Sequence, residues 1–478
     1  MLPKPPIKSL FAHISVVVLL NLLIKPVWLL VEMQVQDSVG HEAWGTYAAL
    51  LAFGFLFITL SDLGVNQYAT KALADQPELF RTWFPNLLIF KLFAAGVYPF
   101  IMVGLGWALG YRDEELYFLL LLCLVHGFNQ VMEFFRGTVR AGQHFKLDGF
   151  LSVFDRLFLL GLTGALFVYG LSVERFIYAR LLTVGVGTVL FYGVVMRLYG
   201  WVRPNLDLPL VRKVVRHSLT FALMTVLYSL HDKVDQVMLE RLAGSRENGL
   251  YAGAYRWLDA FSMYLWTVLP IFFARFAYFL RDIREQERLL HFGQVLTALP
   301  LILVSLFGFF YGEKLFFLFD QQTTPEDLAT MTACLKALFV AAFLNGFFAI
   351  FSTLLTATGY ERIVNRMIVI SILLNIGLNA VFIPRYGAVA SAWTTVLSYA
   401  FLDLAYLLYI QFRLDIRVPY VQIAKLLLTA GLSAGLFWGM DRLGLSWPLV
   451  TGLAGLGTLG IAFALRLIKL AHFNRFNV

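Results

Sequence analysis

The chain has 478 residues, of which 59% are hydrophobic and 14% are charged. Soluble domains carry about 25% charged residues, so this composition excludes an ordinary soluble globule and favours a membrane protein. The formal net charge is +8. Basic loops beside anionic lipid headgroups explain this charge without nucleic acid as a partner.

Fourteen apolar stretches follow one another along the chain, joined by short links. Each reaches the length of about 20 residues that a bilayer-spanning helix needs. A bilayer core satisfies no backbone polar groups, so each stretch is expected to be helical. The predicted fold class is an all-α polytopic membrane protein. The expected spans cover residues 9–34, 44–66, 84–109, 116–136, 149–169, 175–196, 214–239, 249–274, 291–311, 331–357, 363–383, 387–411, 419–439 and 446–468.

Lysine and arginine are concentrated in alternate links, which predicts the orientation of the chain. Cytoplasmic links carry the positive excess in membrane proteins. With an even number of spans, both termini are expected in the cytoplasm. The basic links include those with Arg136, Arg140 and Lys146, with Arg212, Lys213 and Arg216, and with Arg281, Arg284 and Arg288.

An internal repeat relates the first spans of the two halves. Gly40, Gly45 and Tyr47 align without a gap with Gly244, Gly249 and Tyr251. Six spans separate the copies, so we expect two lobes related by an axis along the membrane normal, an arrangement that suits alternating access. The predicted domains are residues 1–208 (spans one to six), 209–412 (spans seven to twelve) and 413–478 (spans thirteen and fourteen). In the last pair, Gly431, Gly435 and Gly439 at a spacing of four favour close helix packing.

Charged residues inside spans are costly and commonly mark function. Lys25 is the strongest candidate, since it lies deep in span one beside Pro26 and shares a helical face with Asn21, Trp28 and Glu32. This polar stripe favours a water-filled interior, although a structural Lys25–Glu32 ion pair is the alternative. By contrast, basic residues near span ends can extend to the membrane surface. These are Lys91, Arg156, Arg180, Lys336 and Lys425.

Arg256 and Asp259 in span eight form the second candidate pair, and a simple ion pair between them is nearly as plausible as a cavity role. Asp235 in span seven and Asp62 in span two also lie in spans. Asp62 is deep enough to need a partner. Cations in a cavity suit an anion such as a pyrophosphate, and buried carboxylates can take up H+ or Na+.

The motifs of several enzyme classes are absent from the sequence. It contains no nucleotide-binding G-x-x-x-x-G-K-[ST] and no zinc-binding H-E-x-x-H. The longest outer link, residues 312–330, contains no histidine and is short for a membrane glycan polymerase or ligase. We therefore expect neither an enzyme nor a cofactor.

Several short motifs resemble those of a known family. Asn21, Lys25-Pro26-Val27-Trp28, Trp44-Gly45-Thr46-Tyr47 and Ser61-Asp62-Leu63-Gly64 resemble the opening of bacterial polysaccharide flippases. These O-antigen-type translocases belong to the multidrug/oligosaccharidyl-lipid/polysaccharide exporter superfamily. The segment around Asp235 and Gly249-Leu250-Tyr251-Ala252 resembles the same family.

The resemblance implies transport of undecaprenyl-diphosphate-linked oligosaccharide by alternating access, for surface polysaccharide such as the O antigen of lipopolysaccharide. It also implies that the protein is located in a bacterial inner membrane. It implies a cationic central cavity, with Lys25 and Arg256 at matching positions in the first helices of each lobe. The other expected cavity residues are Asn21, Asp62, Asp235 and Asp259. The expected partners are the lipid-linked oligosaccharide, membrane lipids, and H+ or Na+ as coupling ion. The alternatives are a cation-coupled multidrug exporter, a membrane glycan ligase or polymerase, and a scaffold for glycosyltransferases.

Overall fold

The computed structural model describes residues 24, 26–203 and 205–468. Every regular element within these residues is helical, and they contain no strand. The helices are α1 (26–39 in its described part), α2 (His41–Leu56), α3 (Val65–Asp75), α4 (Phe80–Ala108), α5 (Asp113–Ala141), α6 (Phe145–Tyr169), α7 (Val173–Tyr199), α8 (Leu208–Ala243), α9 (Ser245–Tyr278), α10 (Ile283–Tyr311), α11 (Pro325–Ala357), α12 (Glu361–Arg413), α13 (Tyr420–Arg442) and α14 (Trp447–Ala464).

Ten of the described helices are long and apolar enough to cross a membrane. One of them, α12, contains two spans, because Gly387 at φ 55° and ψ −137° interrupts its helical backbone. We call residues 361–386 its first limb and residues 388–413 its second limb. Together with α1, the broken pair α2–α3 and the 36-residue α8, these helices correspond to the fourteen predicted spans. The all-α polytopic membrane fold is confirmed.

Helix starts follow the local sequence closely, as α11 shows. The Thr324 hydroxyl accepts a hydrogen bond from the Asp327 backbone N–H at 3.2 Å, and the Asp327 carboxylate accepts one from the Thr324 N–H at 3.0 Å. Pro325 occupies the first helical position, where its missing N–H costs nothing. This reciprocal capping box fixes where the link between α10 and α11 ends and α11 begins.

The described chain forms two compact units, with the boundary between Arg241 and Leu242. Helices α1 to α7 and nearly all of α8 belong to the first unit, and α9 to α14 belong to the second. The repeat divides the chain before α8 instead. The domains 1–208, 209–412 and 413–478 are a division by repeat, and they remain a prediction.

The repeat-aligned residues at the starts of α2 and α9 have closely similar conformations. Gly40 has φ 87° and ψ 157°, and Gly244 has φ 97° and ψ 164°. Side chains strongly disfavour this region of backbone space, which explains a glycine at both sites. Tyr47 and its counterpart Tyr251 are both buried. The two halves then diverge, because α2 stops at Leu56 whereas α9 continues to Tyr278.

The C-terminal helices α13 and α14 pack against each other and against α10 within the second unit. Their contact face includes Ser433, whose hydroxyl accepts a hydrogen bond from the Thr458 hydroxyl at 2.8 Å. Among the described residues, a Cβ added at Gly431, Gly435 or Gly439 would meet no atom within 4 Å. Our expectation that these glycines allow close helix packing is therefore wrong within this part of the chain, where Ser433 and Phe437 form the packed face instead.

Candidate functional site: polar groups inside the two units

The second span is broken in the middle of the first unit. After α2 ends at Leu56, a short 3-10 turn covers Ile58–Ser61, and Leu63 and Gly64 then adopt φ 49° and φ 75° before α3 begins. Such backbone is tolerated at membrane depth only where protein or a water-filled cavity surrounds it. The Ser61-Asp62-Leu63-Gly64 motif forms this break.

Asp62 is held at the break by a buried ion pair. The Lys91 ammonium on α4 lies 2.6 Å from Asp62 Oδ1, and the same oxygen accepts a hydrogen bond from the Asn66 backbone N–H at 3.0 Å. Lys91 also donates to the Ser61 carbonyl at 3.4 Å. The Lys91 side chain has no solvent exposure, and that of Asp62 is 13% exposed.

Our expectation that Lys91 extends to the membrane surface is therefore wrong. At the break, the Asp62 carboxylate and the Ser61 carbonyl lie inside the unit, and the Lys91 ammonium donates to both of them. Depth along the span could not reveal this, because the partner comes from a different helix. Asp62 has the partner that its depth required.

The polar region continues from the break along α5. The Asn66 side-chain amide donates to Gln130 Oε1 at 2.8 Å. One to two turns further on, the Arg136 guanidinium donates from Nε to Asp148 on α6 at 2.7 Å. Asp155, also on α6, faces Gly187 of α7, where an added Cβ would lie 2.9 Å from its Oδ1. The first unit thus contains a set of charges of both signs along α5 and α6.

Helix α8 contributes a polar face to the first unit. The Ser229 hydroxyl donates at 3.1 Å to the carbonyl of Leu56, the last residue of α2. Asp235 is buried, and its Oδ1 accepts a hydrogen bond from the Gln236 backbone N–H at 2.8 Å. The structure therefore places Asp235 inside the first unit.

The C-terminal end of α8 is fixed to the link between α4 and α5. The Tyr111 hydroxyl donates to Glu240 Oε2 at 3.0 Å, and the Arg241 guanidinium lies 3.8 Å from the centre of the Tyr111 ring. Burial, and secondarily the charge of Glu240, raises the pKa of Tyr111. The phenol therefore remains a neutral donor over the physiological pH range.

In the second unit, α9 carries the two predicted residues Arg256 and Asp259. Arg256 is buried at 9% exposure, whereas Asp259 is partly buried. A guanidinium at this depth inside a helical unit is a strong donor that can bind a phosphate through two parallel hydrogen bonds. The remaining predicted residues, Asn21 and Lys25, lie outside the described residues.

A second polar cluster, which we did not predict, lies between the limbs of α12. The Asn375 amide donates to the Ser398 hydroxyl at 3.1 Å, and the Asn379 amide donates to Asn375 Oδ1 at 2.9 Å. The Thr394 hydroxyl donates to Asn379. The kink is also fixed from α9, where Glu247 Oε2 accepts the Ala388 backbone N–H at 2.7 Å.

We overlooked this cluster because its side chains carry no charge. The available signal was the spacing of amides and hydroxyls on one face of each limb, at Asn375 and Asn379 and at Ser391, Thr394 and Ser398. Across residues 24, 26–203 and 205–468, no group of three or more His, Cys, Asp or Glu side chains is arranged to hold a metal ion.

Comparison with known proteins identifies the family. The family model described as polysaccharide biosynthesis protein matches residues 10–274, more than half of the chain. The chain belongs to this family. An uncharacterized membrane protein of Methanocaldococcus jannaschii is 21% identical over 398 residues, which cover 75% of this chain and 88% of that protein.

Solved structures share the fold over most of the chain. The lipid II flippase MurJ in an inward closed conformation matches with a TM-score of 0.72 at 12% identity, covering 94% of this chain and 99% of the MurJ chain. An inward-facing multidrug resistance MATE transporter of the MOP superfamily matches with a TM-score of 0.64 at 14% identity. The match covers 81% of this chain and 94% of the transporter chain. The chain thus shares the fold of these two structures, and the family model confirms the predicted polysaccharide family.

Proposed function

We propose that this chain is a flippase that moves undecaprenyl-diphosphate-linked oligosaccharide from the cytoplasmic to the periplasmic leaflet of a bacterial inner membrane. Its product would serve the assembly of surface polysaccharide such as O antigen. The observation that carries the proposal is the match to the polysaccharide biosynthesis family, together with a fold shared over 94% of the chain with a lipid II flippase.

The proposed mechanism is alternating access, in which the two lobes rock about a substrate held near the middle of the bilayer. Lys25 and Arg256 are the proposed contacts of the diphosphate, and Asn21, Asp235 and Asp259 are the proposed polar neighbours of the substrate. Asp62 is proposed to act through its ion pair with Lys91, which holds the broken span in shape. Arginine suits the diphosphate because its guanidinium presents donors in a planar fork.

Coupling to H+ or Na+ forms part of the proposal, since moving a large charged headgroup needs a driving force. The proposed orientation places both chain termini in the cytoplasm, because the basic links then face the cytoplasmic leaflet. Anionic membrane lipids are the proposed partners of those links.

The direct biochemical test uses the purified protein in liposomes that contain a fluorescent undecaprenyl-diphosphate glycan in both leaflets. A membrane-impermeant quencher or glycosidase then reports how much of the lipid is reachable. We expect protein-dependent access to the inner-leaflet pool. Access equal to that of protein-free liposomes, with the protein shown to be folded, would contradict the flippase.

A multidrug exporter is the second candidate, favoured by the shared fold with a MATE transporter. An exporter predicts that a deletion strain becomes sensitive to cationic drugs while surface polysaccharide is unchanged. A flippase predicts loss of surface polysaccharide with unchanged drug sensitivity.

A further inference from the structure

One carboxyl group in the second unit is enclosed without a partner. Asp403 lies on the second limb of α12 and is 5% exposed. Its Oδ2 is fully buried and accepts no hydrogen bond within the described part of the chain. A helix rises about 1.5 Å per residue, so Asp403 lies ~24 Å from Gly387 and ~15 Å from Arg413, well inside the membrane.

The level of Asp403 on neighbouring helices follows from two contacts of the same limb. The Thr395 hydroxyl of the second limb lies 3.5 Å from the Tyr251 hydroxyl of α9. The Ser371 hydroxyl of the first limb donates to the Ser398 carbonyl of the second limb at 3.2 Å. Counting along the helices from these contacts, the charged residues at about the same depth as Asp403 are Arg256 and Asp259 on α9 and Arg366 on the first limb.

The titratable groups around this level give Asp403 no counter-charge within hydrogen-bonding distance. Arg366 is exposed, and α11 has no charged or titratable residue between 337 and 357. On its own limb the nearest titratable groups are Tyr399 and Tyr406, one turn before and after. No salt bridge in the described residues includes Asp403. This contrasts with Asp62 in the first unit, which has Lys91 at 2.6 Å.

Burying an ionised carboxylate in such a place costs free energy, and protonation to the neutral acid removes that cost. A metal cation would need several oxygen ligands, whereas a proton needs one oxygen. We propose that Asp403 is a proton-binding site, in which one carboxyl oxygen takes H+ from water and forms an O–H bond, and later releases that proton to water. A charge this deep in a membrane protein is usually retained for function.

The use of this proton for coupling rests on the proposed flippase function, whereas the proton site itself does not. In that role the carboxyl would be neutral while its unit is closed and would release its proton when the unit opens to water. Asp403 would then supply the coupling that the proposed function requires, with H+ as the ion.

The decisive experiment is modification of the intact protein in membranes with dicyclohexylcarbodiimide, which reacts with protonated carboxyl groups in apolar surroundings. We expect an adduct at Asp403 at pH 6, read by peptide mass spectrometry, that falls at least about fivefold at pH 9 and is unchanged by 100 mM NaCl. Asp62 is the matched control and should stay unmodified, because its carboxyl oxygen is in contact with the Lys91 ammonium at 2.6 Å. An unmodified Asp403 at pH 6 would overturn the proposal, as would protection by sodium.

A second measurement compares two neutral substitutions in the purified protein. Asp403→Asn mimics the protonated acid, so its Tm should stay within ~2 °C of the wild type. Asp62→Asn breaks an ion pair and should lower Tm by more than that. A large fall in Tm for Asp403→Asn alone would show an ionised, bound carboxylate and would overturn the proposal.

The coupling role has a separate readout. In liposomes, flipping by the wild type should respond to an imposed pH gradient, and flipping by Asp403→Asn should continue without that response. A gradient response equal to the wild type would remove the coupling role. Absence of flipping in the wild type would count against the proposed function and leave the carbodiimide result to stand alone.

Discussion

Removing the positive partner of the buried ion pair in the first unit should be strongly destabilising. Lys91→Met deletes the ammonium that lies 2.6 Å from Asp62 and has no solvent exposure. The substitution keeps an unbranched apolar chain of similar length, so it leaves little cavity. It strands the Asp62 carboxylate, whose side chain is only 13% exposed. Breaking a buried pair from one side costs about 3–5 kcal/mol, and we expect Lys91→Met to fall in this range.

The double substitution Lys91→Met with Asp62→Asn should recover most of that loss. The amide oxygen of asparagine can still accept the Asn66 N–H, and no isolated charge remains. Replacing both members of a buried pair is often nearly neutral. The two single substitutions should therefore be strongly non-additive, with a coupling free energy of roughly 2 kcal/mol or more.

The assay is reversible unfolding of the purified protein in mixed micelles, measured as a free energy of unfolding for the four members of the cycle. A matched surface control is the Arg288–Glu285 pair, 3.1 Å apart with side chains 47% and 35% exposed. Arg288→Ala should cost less than about 1 kcal/mol. A cost below ~1 kcal/mol for Lys91→Met, or a double variant as unstable as the two singles added together, would refute the account of the break.

Three further predictions concern packing, the outer link and the proposed substrate contacts. Gly308→Ala should lower the free energy of unfolding by about 1–3 kcal/mol, because the new Cβ would overlap the Phe339 ring. Gly104→Ala is the control: its new Cβ has no described atom within 4 Å, so the free energy of unfolding should be unchanged or higher. Tyr111→Phe should cost about 0.5–1.5 kcal/mol through loss of the Glu240 hydrogen bond, and an equal loss for Tyr169→Phe, at a tyrosine that is 82% exposed, would show a non-specific effect. Lys25→Ala should abolish flipping while the protein still inserts normally into the membrane. Arg256→Gln should reduce flipping at least about tenfold, since a headgroup contact worth ~1.4 kcal/mol changes an equilibrium constant by that factor. Full flipping by well-inserted variants would remove both residues from the substrate site.

The fold was largely accessible from the sequence because a membrane allows few solutions. Apolar length and alternating loop charge specify spans and their order, and the repeat at Gly40 and Gly244 reports a shared backbone conformation that only glycine adopts readily. The break after Leu56 was harder to see. The Asp62-Leu63-Gly64 segment has no proline, and the contacts at the break come from other helices, from α4 to Asp62 and from α8 to the Leu56 carbonyl.

Charge within a span marked several interior polar groups in the sequence, such as Asp62 and Asp235, but it did not identify their partners. The sequence predicted that Lys91 extends to the membrane surface, because its carboxylate partner Asp62 lies in a different span. The Asn375, Asn379 and Thr394 cluster was missed because amides and hydroxyls also occur in ordinary helix packing. Pairing between helices is a property of the folded units, and a pattern along one span does not contain it.

The central claim is that this chain delivers lipid-linked oligosaccharide to the outer leaflet. The most direct measurement is the leaflet location of that lipid in cells with and without the gene, by accessibility of the glycan to a periplasmic enzyme or lectin. The account predicts accumulation on the cytoplasmic face and loss of surface polysaccharide in the deletion strain, both restored by the wild-type gene. Normal sidedness in a strain that also lacks every paralogue would contradict it.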